Sequence, residues 1–217
     1  MRIDIPHMRS TLADLKKEGN SYVNTIVQLY QEVYSKLDPL DVSLPWAGPQ
    51  AGNFINEVRS MEPTFLNITE TLQQATDSLA THISAWGSLE TTMQQDELFE
   101  KYHPETIQEA SHKKDGNDAV TNAAEVNMNF EPEQVEALRA KIIDLGEMIN
   151  KLFANITGPI LSNVKQYYES DASTSYQNKV ENASNEANNA MKKVINRFDY
   201  WLAEAKAAYN KQDQNLI

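Results

Sequence analysis

Four histidines are the side chains of this sequence best suited to bind a metal or transfer a proton, but their spacing favours neither role. His7, His82, His103 and His112 fall in four different contexts, and none has the Glu-x-x-His spacing of a helical metal site. We interpret all four as solvent-facing side chains. The Asp-Gly-Asn-Asp stretch at 115–118 lacks the alternating oxygen ligands and closing Glu of an EF-hand loop, so it is predicted to be a turn.

Other signatures of catalysis are missing as well. The sequence has no Gly-x-Ser-x-Gly, no P-loop and no Gly-rich dinucleotide turn. It has no cysteine, which excludes a thiol nucleophile, a thiolate metal site and a disulfide framework. We therefore expect a protein that is not an enzyme and that uses no metal or cofactor.

The chain is acidic, and its composition favours helices. Among 217 residues, 31 Asp and Glu outnumber 19 Lys and Arg, and the formal net charge of −12 opposes binding to nucleic acid or to anionic membranes. Only 7 Gly and 8 Pro are present, and the prolines cluster between periodic stretches. The first residues lack the apolar core of a Sec signal peptide, and no stretch is apolar enough to span a membrane. We therefore expect that any export follows a Sec-independent route.

One apolar pattern occurs twice in the chain, 122 residues apart. In both copies apolar residues recur in steps of three and four, as on one face of a helix. The first copy has Phe54, Val58, Met61, Phe65, Ile68, Leu72, Ala75, Leu79 and Trp86. Adding 122 to these numbers gives Tyr176, Val180, Ala183, Ala187, Ala190, Val194, Arg197, Trp201 and Ala208. Only Arg197 departs from the pattern, so the repeat indicates two related units.

The periodic stretches predict four helices. The first follows Pro6 and ends at Asp38-Pro39, the second runs from about residue 50 to about residue 100 with a bend near Pro63, and the fourth runs from about 172 to about 212. The third begins near Glu131 and is predicted to break or kink at the Gly-Pro pair that follows it.

Together these elements predict an all-α protein. We expect a helix-turn-helix hairpin at 1–102, a polar linker at 103–130 and a second hairpin at 131–217. Long amphipathic helices with a repeat near 3.5 residues pack most simply as an elongated antiparallel four-helix bundle with one shared core. The alternative, two separate hairpins, would leave each apolar stripe half exposed.

Two short motifs distinguish the copies. Trp46-Ala47-Gly48 lies in the turn of the first copy, where the second has Tyr168-Glu169-Ser170. Tyr209-x-x-x-Asp213 closes the second copy and has no counterpart in the first. Trp46 stands between two prolines in a turn, a position that no helical stripe requires. Each copy therefore lacks the motif that the other retains.

A hairpin joined by Trp46-Ala47-Gly48, with Ala51 and Phe54 after it, resembles the WXG family of type VII secretion substrates, and Tyr209-x-x-x-Asp213 resembles the export signal of that system. Family members are usually single hairpins that pair into four-helix bundles, so this chain resembles two of them fused. In such heterodimers the Trp-x-Gly turn of one partner lies beside the tail motif of the other. The resemblance therefore implies a composite secretion signal, or partner-binding site, formed by Trp46, Gly48, Tyr209 and Asp213.

The resemblance also implies a cellular role. A protein of this family would be held in the cytoplasm before export, would bind the type VII secretion ATPase or its adaptor, and would act in virulence or bacterial competition. A co-secreted helical toxin or a WXG-like protein is a further partner that it implies. We expect no nucleic-acid partner and no stable membrane insertion.

Two alternatives remain open at this point. The opening Met1-Arg2-Ile3-Asp4 resembles the longer LXG targeting domains of related toxins. The same fold could therefore serve as a chaperone or targeting partner of a larger LXG-type toxin, in which case a large apolar stripe should stay exposed. A helical surface or pore-forming protein ranks last, because no segment is apolar enough to enter lipid.

Overall fold

A computed structural model of the chain describes residues 2–89, 98–99, 101–116 and 127–214, apart from the side chain of Asp213. The predicted all-α class is confirmed. The helices are α1 (Ile5–Lys36), α2 (Pro49–Ser60), α3 (Glu62–Gly87), α4 (Pro104–Ser111), α5 (Pro132–Asn155), α6 (Leu161–Tyr167) and α7 (Asp171–Gln214). The strands have two residues each: β1 (Arg2–Ile3), β2 (Leu37–Asp38), β3 (Trp46–Ala47), β4 (Asn129–Phe130) and β5 (Tyr168–Glu169).

The chain divides into two compact units. The first unit comprises Met1–Asn24, Leu66–Pro104 and Ile149–Ala190, and the second comprises Thr25–Phe65, Glu105–Met148 and Met191–Ile217. The sequence-based division into hairpins follows the chain, whereas each compact unit takes segments from both hairpins. The shared four-helix packing stays a prediction.

The second helix is interrupted where the sequence predicts a bend. Helix α2 ends at Ser60 and α3 begins at Glu62. Pro63 therefore lies in the first turn of a new helix, where its missing N–H has no partner to lose. Helix α3 ends at Gly87, earlier than the predicted end near residue 100; residues 90–97 lie outside the described part of the chain.

The predicted break after α5 is also observed. Residues Ile156–Ile160, which include Pro159, form a π-helical turn that leads directly into α6. A proline clashes with the carbonyl four residues before it, and a locally widened turn is one way for a helical path to continue past it.

The predicted polar linker is partly structured. It contains α4, whose Ile107 and Ala110 are buried, and strand β4. In the second unit the Tyr34 hydroxyl donates to the Ser111 carbonyl at 2.5 Å and so holds the end of α4. A two-turn helix with two buried apolar residues is too short to produce a clear periodic signal.

Candidate protein-docking site

The Trp-x-Gly turn is held in a small three-stranded sheet within the second unit. Trp46 pairs in parallel with Leu37 of β2 and in antiparallel with Phe130 of β4. The backbone N–H of Glu131 donates to the Pro45 carbonyl at 2.8 Å. Strand β3 is therefore covered on one edge by β2, which lies just before it in the chain, and on the other by β4, which is distant from it in the sequence.

Gly48 has a backbone conformation that only glycine adopts readily. Its φ is 109° and its ψ is −177°, in a region that side chains with a Cβ avoid. A Cβ added there would stand 3.0 Å from Cγ of Met128. The Gly48 N–H donates to the Pro39 carbonyl at 3.1 Å, and Pro49 begins α2. The glycine of the motif thus lets the chain leave the sheet and enter the helix.

Trp46 is fully buried and packs in an aromatic cluster. Its ring stacks on Phe54 at a centroid distance of 5.9 Å and lies perpendicular to the ring of Phe130 at 5.7 Å. Phe54 in turn contacts Phe198 and Trp201 of α7. The Trp46 Nε1 is buried without a hydrogen-bond partner among the described residues. Trp46 therefore organises this cluster and offers no exposed surface to a partner.

Phe130 links the two predicted motifs. Its ring stacks on Tyr209 at 3.9 Å with an interplanar angle of 1°, and its edge contact with Trp46 completes the connection. Tyr209 is half-buried. Asp213 lies in α7 one helical turn after Tyr209, and its side chain is outside the described part of the chain. Within the second unit, the Trp-x-Gly turn and the tail tyrosine thus contact the same aromatic ring.

Apolar side chains are exposed around this turn. Leu40 is 57% exposed, Val42 45% and Met128 62%. The loop at 39–45 is held at both ends. The Pro39 carbonyl accepts a hydrogen bond from the Gly48 N–H, and the Leu44 carbonyl accepts one from Asn129 Nδ2 at 2.8 Å. We call Leu40, Val42, Met128, Phe130 and Tyr209 the Trp-turn surface.

A lysine anchors the start of the loop. Lys114 Nζ contacts Asp38 Oδ2 at 2.9 Å and donates to the Leu37 carbonyl at 3.0 Å. Partial burial opposes ionisation of Asp38, but the Leu40 N–H and Lys114 outweigh it and lower the pKa of this carboxyl below its usual value. Next to this contact, a Cβ on Gly52 of α2 would stand 2.6 Å from the Gly116 carbonyl oxygen. The segment after α4 therefore packs tightly against α2.

Ion pairs fix the last turns of α7 to α5. Lys206 contacts Glu136 at 2.9 Å, and Arg139 contacts Asp199 at 2.5 Å and Glu136 at 3.1 Å. The hydrogen bond from Lys206 lowers the pKa of Glu136, and the bond to Asp199 raises the pKa of Arg139. Because Lys206 lies close to Tyr209 in sequence, these pairs help to orient the tail tyrosine.

The structure corrects one expectation about the histidines. His82 is half-buried in the first unit between the rings of Tyr168 and Tyr176, with centroid distances of 5.5 and 5.8 Å. Burial lowers its pKa, so the neutral form is favoured. His7 and His112 are exposed and contact carboxylates, at 2.9 Å from Asp4 and at 3.2 Å from Glu62. The sequence pattern missed His82 because only apolar residues were counted. His82 occupies a position on the apolar stripe of α3, between Leu79 and Trp86, although its side chain is not apolar.

Sequence reasoning identified Trp46, Gly48 and Tyr209 but missed Phe130, which joins them. The two segments that pair with the turns share one local pattern, because Ile3-Asp4 and Phe130-Glu131 are each an apolar residue followed by an acidic one just before a helix. The pairing of each with a distant turn is not encoded in any local period.

The fold and site therefore describe an all-α protein with an exposed apolar surface around a rigid aromatic turn. Within the described ranges, no helix is long and apolar enough to cross a membrane, and no group of three or more His, Cys, Asp or Glu could hold a metal ion. Comparisons with protein-family models, with curated proteins and with solved structures gave no match.

Proposed function

We propose that this chain is a non-enzymatic type VII secretion substrate, built as a fused WXG-type pair and exported folded by a Sec-independent route. The observation that carries the proposal is the contact of Phe130 with both Trp46 and Tyr209. It supports a composite signal in which the two motifs are joined through one aromatic ring. The role is binding of the secretion ATPase or its adaptor, with no reactive group required.

The burial of Trp46 gives this proposal a more specific form. A partner contacts the Trp-turn surface and the end of α7 that contains Tyr209 and Asp213, while Trp46 and Gly48 hold that surface in shape. Aromatic and apolar side chains surrounded by polar residues are typical of protein-binding surfaces. In this proposal the partner contacts the Trp-turn surface directly, whereas Trp46 and Gly48 act indirectly by positioning it.

Export assays with matched tyrosine variants test the proposal. In the bacterium that encodes the chain, Tyr209→Ala and Asp213→Ala should each reduce the secreted fraction at least about tenfold, as loss of a central contact would. Tyr200→Ala is the control, because Tyr200 lies on the same helix and is 63% exposed. Undiminished secretion of both motif variants, with normal cytoplasmic amounts, would contradict the signal assignment.

The chaperone alternative requires a continuous exposed apolar stripe. On α5 the large exposed apolar residues Ile143 and Met148 are five positions apart, which places them on different faces of the helix. This spacing favours the export substrate over a chaperone for an LXG-type toxin. A pull-down of the purified chain against products of neighbouring genes would distinguish the two roles.

A further inference from the structure

The two turns of the chain are built alike, and the likeness extends to individual hydrogen bonds. Adding 122 to β3 gives β5, and adding 122 to Pro49, the start of α2, gives Asp171, the start of α7. Trp46 and Tyr168 occupy the same place and are 0% and 1% exposed. The second turn is therefore a structural repeat of the first despite its different residues.

Each turn is paired with the strand that precedes a helix of the other hairpin. In the second unit the Glu131 N–H donates to the Pro45 carbonyl at 2.8 Å. In the first unit the Asp4 N–H donates to the Tyr167 carbonyl at 2.9 Å, and β1 pairs in antiparallel with β5. Pro45 and Tyr167 are again 122 residues apart, so β4 and β1 play equivalent parts.

The other edge of the central strand differs between the turns. In the second unit β2 covers it, and the Gly48 N–H donates to the Pro39 carbonyl at 3.1 Å. In the first unit α6 leads straight into β5, and the Tyr168 N–H donates back to the Val164 carbonyl. Among the described residues of the first unit, β1 is the strand that pairs with β5. Within the part of the chain that the structure describes, this edge of β5 therefore has no counterpart of β2.

An open groove of about 860 Å³ lies beside β5. Its lining includes Tyr168, Glu169 and Ser170, together with Trp86, whose Nε1 donates to the Tyr168 hydroxyl at 3.3 Å. In an antiparallel pair, the backbone groups of alternate residues point toward the neighbouring strand. Glu169 pairs with Arg2 and directs its backbone groups toward β1, so the Tyr168 carbonyl and the Ser170 N–H are directed away from β1. These are the backbone positions equivalent to those that bind β2 in the second unit.

We propose that the groove beside β5 binds an extended segment of a partner protein, added in parallel to β5 as β2 is added to β3. The equivalence predicts an apolar partner residue facing Tyr168, as Leu37 pairs with Trp46, and a partner carbonyl that accepts from the Ser170 N–H. The lining of the groove has two exposed carboxylates, Glu169 and Asp171, and one basic side chain, Lys165. This excess of negative charge favours a basic residue in the bound segment. Strand addition of this kind draws affinity from main-chain hydrogen bonds.

A peptide with the chain's own β2 sequence is the probe. Capped Ser-Lys-Leu-Asp-Pro-Leu, the sequence of residues 35–40, is titrated into the full-length protein and followed by amide NMR shifts. We expect saturable shifts at residues 165–178. A control peptide with Gly in place of the first Leu, the one that corresponds to Leu37, should bind about tenfold more weakly, since it lacks the apolar contact.

Two substitutions at one position separate the backbone donor from the side chain. Both Ser170→Pro and Ser170→Ala remove the hydroxyl, whose Oγ accepts from the Ser173 N–H at 3.1 Å, but only Ser170→Pro removes the backbone N–H. Ser170→Ala should bind the probe within about threefold of the unaltered protein, whereas Ser170→Pro should bind about tenfold more weakly. An N-methyl group on the Asp of the probe gives the same test without altering the protein, because that N–H faces the Tyr168 carbonyl.

The possible contrary results are distinct. Absence of saturable shifts, equal binding by the two Ser170 variants, or shifts confined to the surroundings of Trp46 would overturn the proposal. A concentration-dependent dimer that Ser170→Pro abolishes would place a second copy of this chain in the groove and overturn the assignment to a partner segment. None of these measurements depends on export, so the outcome is independent of the proposed function.

Discussion

Replacement of Gly48 by alanine should destabilise the protein for a reason that lies in the backbone. At φ 109° and ψ −177°, the position is in a region populated almost only by glycine, and placing a side chain there costs about 1–3 kcal/mol. The added Cβ would also stand 3.0 Å from Met128 Cγ. Because Met128 is flexible and 62% exposed, it can move aside with little further cost. We therefore expect a loss of about 2 kcal/mol in the free energy of unfolding.

The matched control is Gly158→Ala. A Cβ at Gly158 would meet no atom within 4 Å, and Gly48 is the glycine of the described residues that has a positive φ. Alanine there should leave the protein unchanged or stabilise it by up to about 1 kcal/mol, through the lower entropy of the unfolded chain.

Urea unfolding followed by circular dichroism and by tryptophan fluorescence measures both variants. In a thermal melt of a chain of this length, the same loss of about 2 kcal/mol corresponds to a fall of about 4–8 °C in Tm. The two probes should agree if the transition is two-state. A Gly48→Ala variant within about 0.5 kcal/mol of the unaltered protein, or equal losses in the two variants, would refute the argument from the backbone.

Two further predictions concern the surroundings of the turn. The pKa of Asp38 is lowered from 3.8 in the folded protein, so its contribution to stability is present above the unfolded pKa and is lost as the pH falls through the folded pKa. Asp38→Asn should therefore lower Tm at neutral pH, and this difference should shrink as the pH falls below about 4, with exposed Asp144→Asn as the control. Gly52→Ala should force Gly116 away from α2, costing about 1–3 kcal/mol and increasing hydrogen exchange in α4 and residues 112–116, whereas Asn53→Ala on the exposed face should not.

The features that could be predicted from the sequence are those with a local cause. The helical class, the break near Pro63 and the turn before each copy follow from apolar periods and from prolines, which act within a few residues. The likeness of β3 and β5 follows from the 122-residue repeat. These features need no knowledge of which distant segments meet.

The features that were missed depend on long-range pairing. A two-residue strand such as β4 has no period, so no periodic pattern around Phe130 predicts that it contacts both Trp46 and Tyr209. The burial of His82 depends on Tyr168 and Tyr176, which are more than 80 residues away. The sequence could thus supply the members of the candidate site but not the residue that joins them.

The structure also gives a reason why the second copy has no Trp-x-Gly. In the first copy a loop of seven residues separates β2 from β3, and the chain enters α2 through the positive φ of Gly48. In the second copy α6 continues directly into β5, and Ser170, like every other non-glycine residue described, has no positive φ. Glycine is then not required, and Tyr168 keeps the buried aromatic of Trp46. The missing motif therefore reflects a shorter connection, and that same shortening leaves one edge of β5 without a paired strand among the residues that the structure describes.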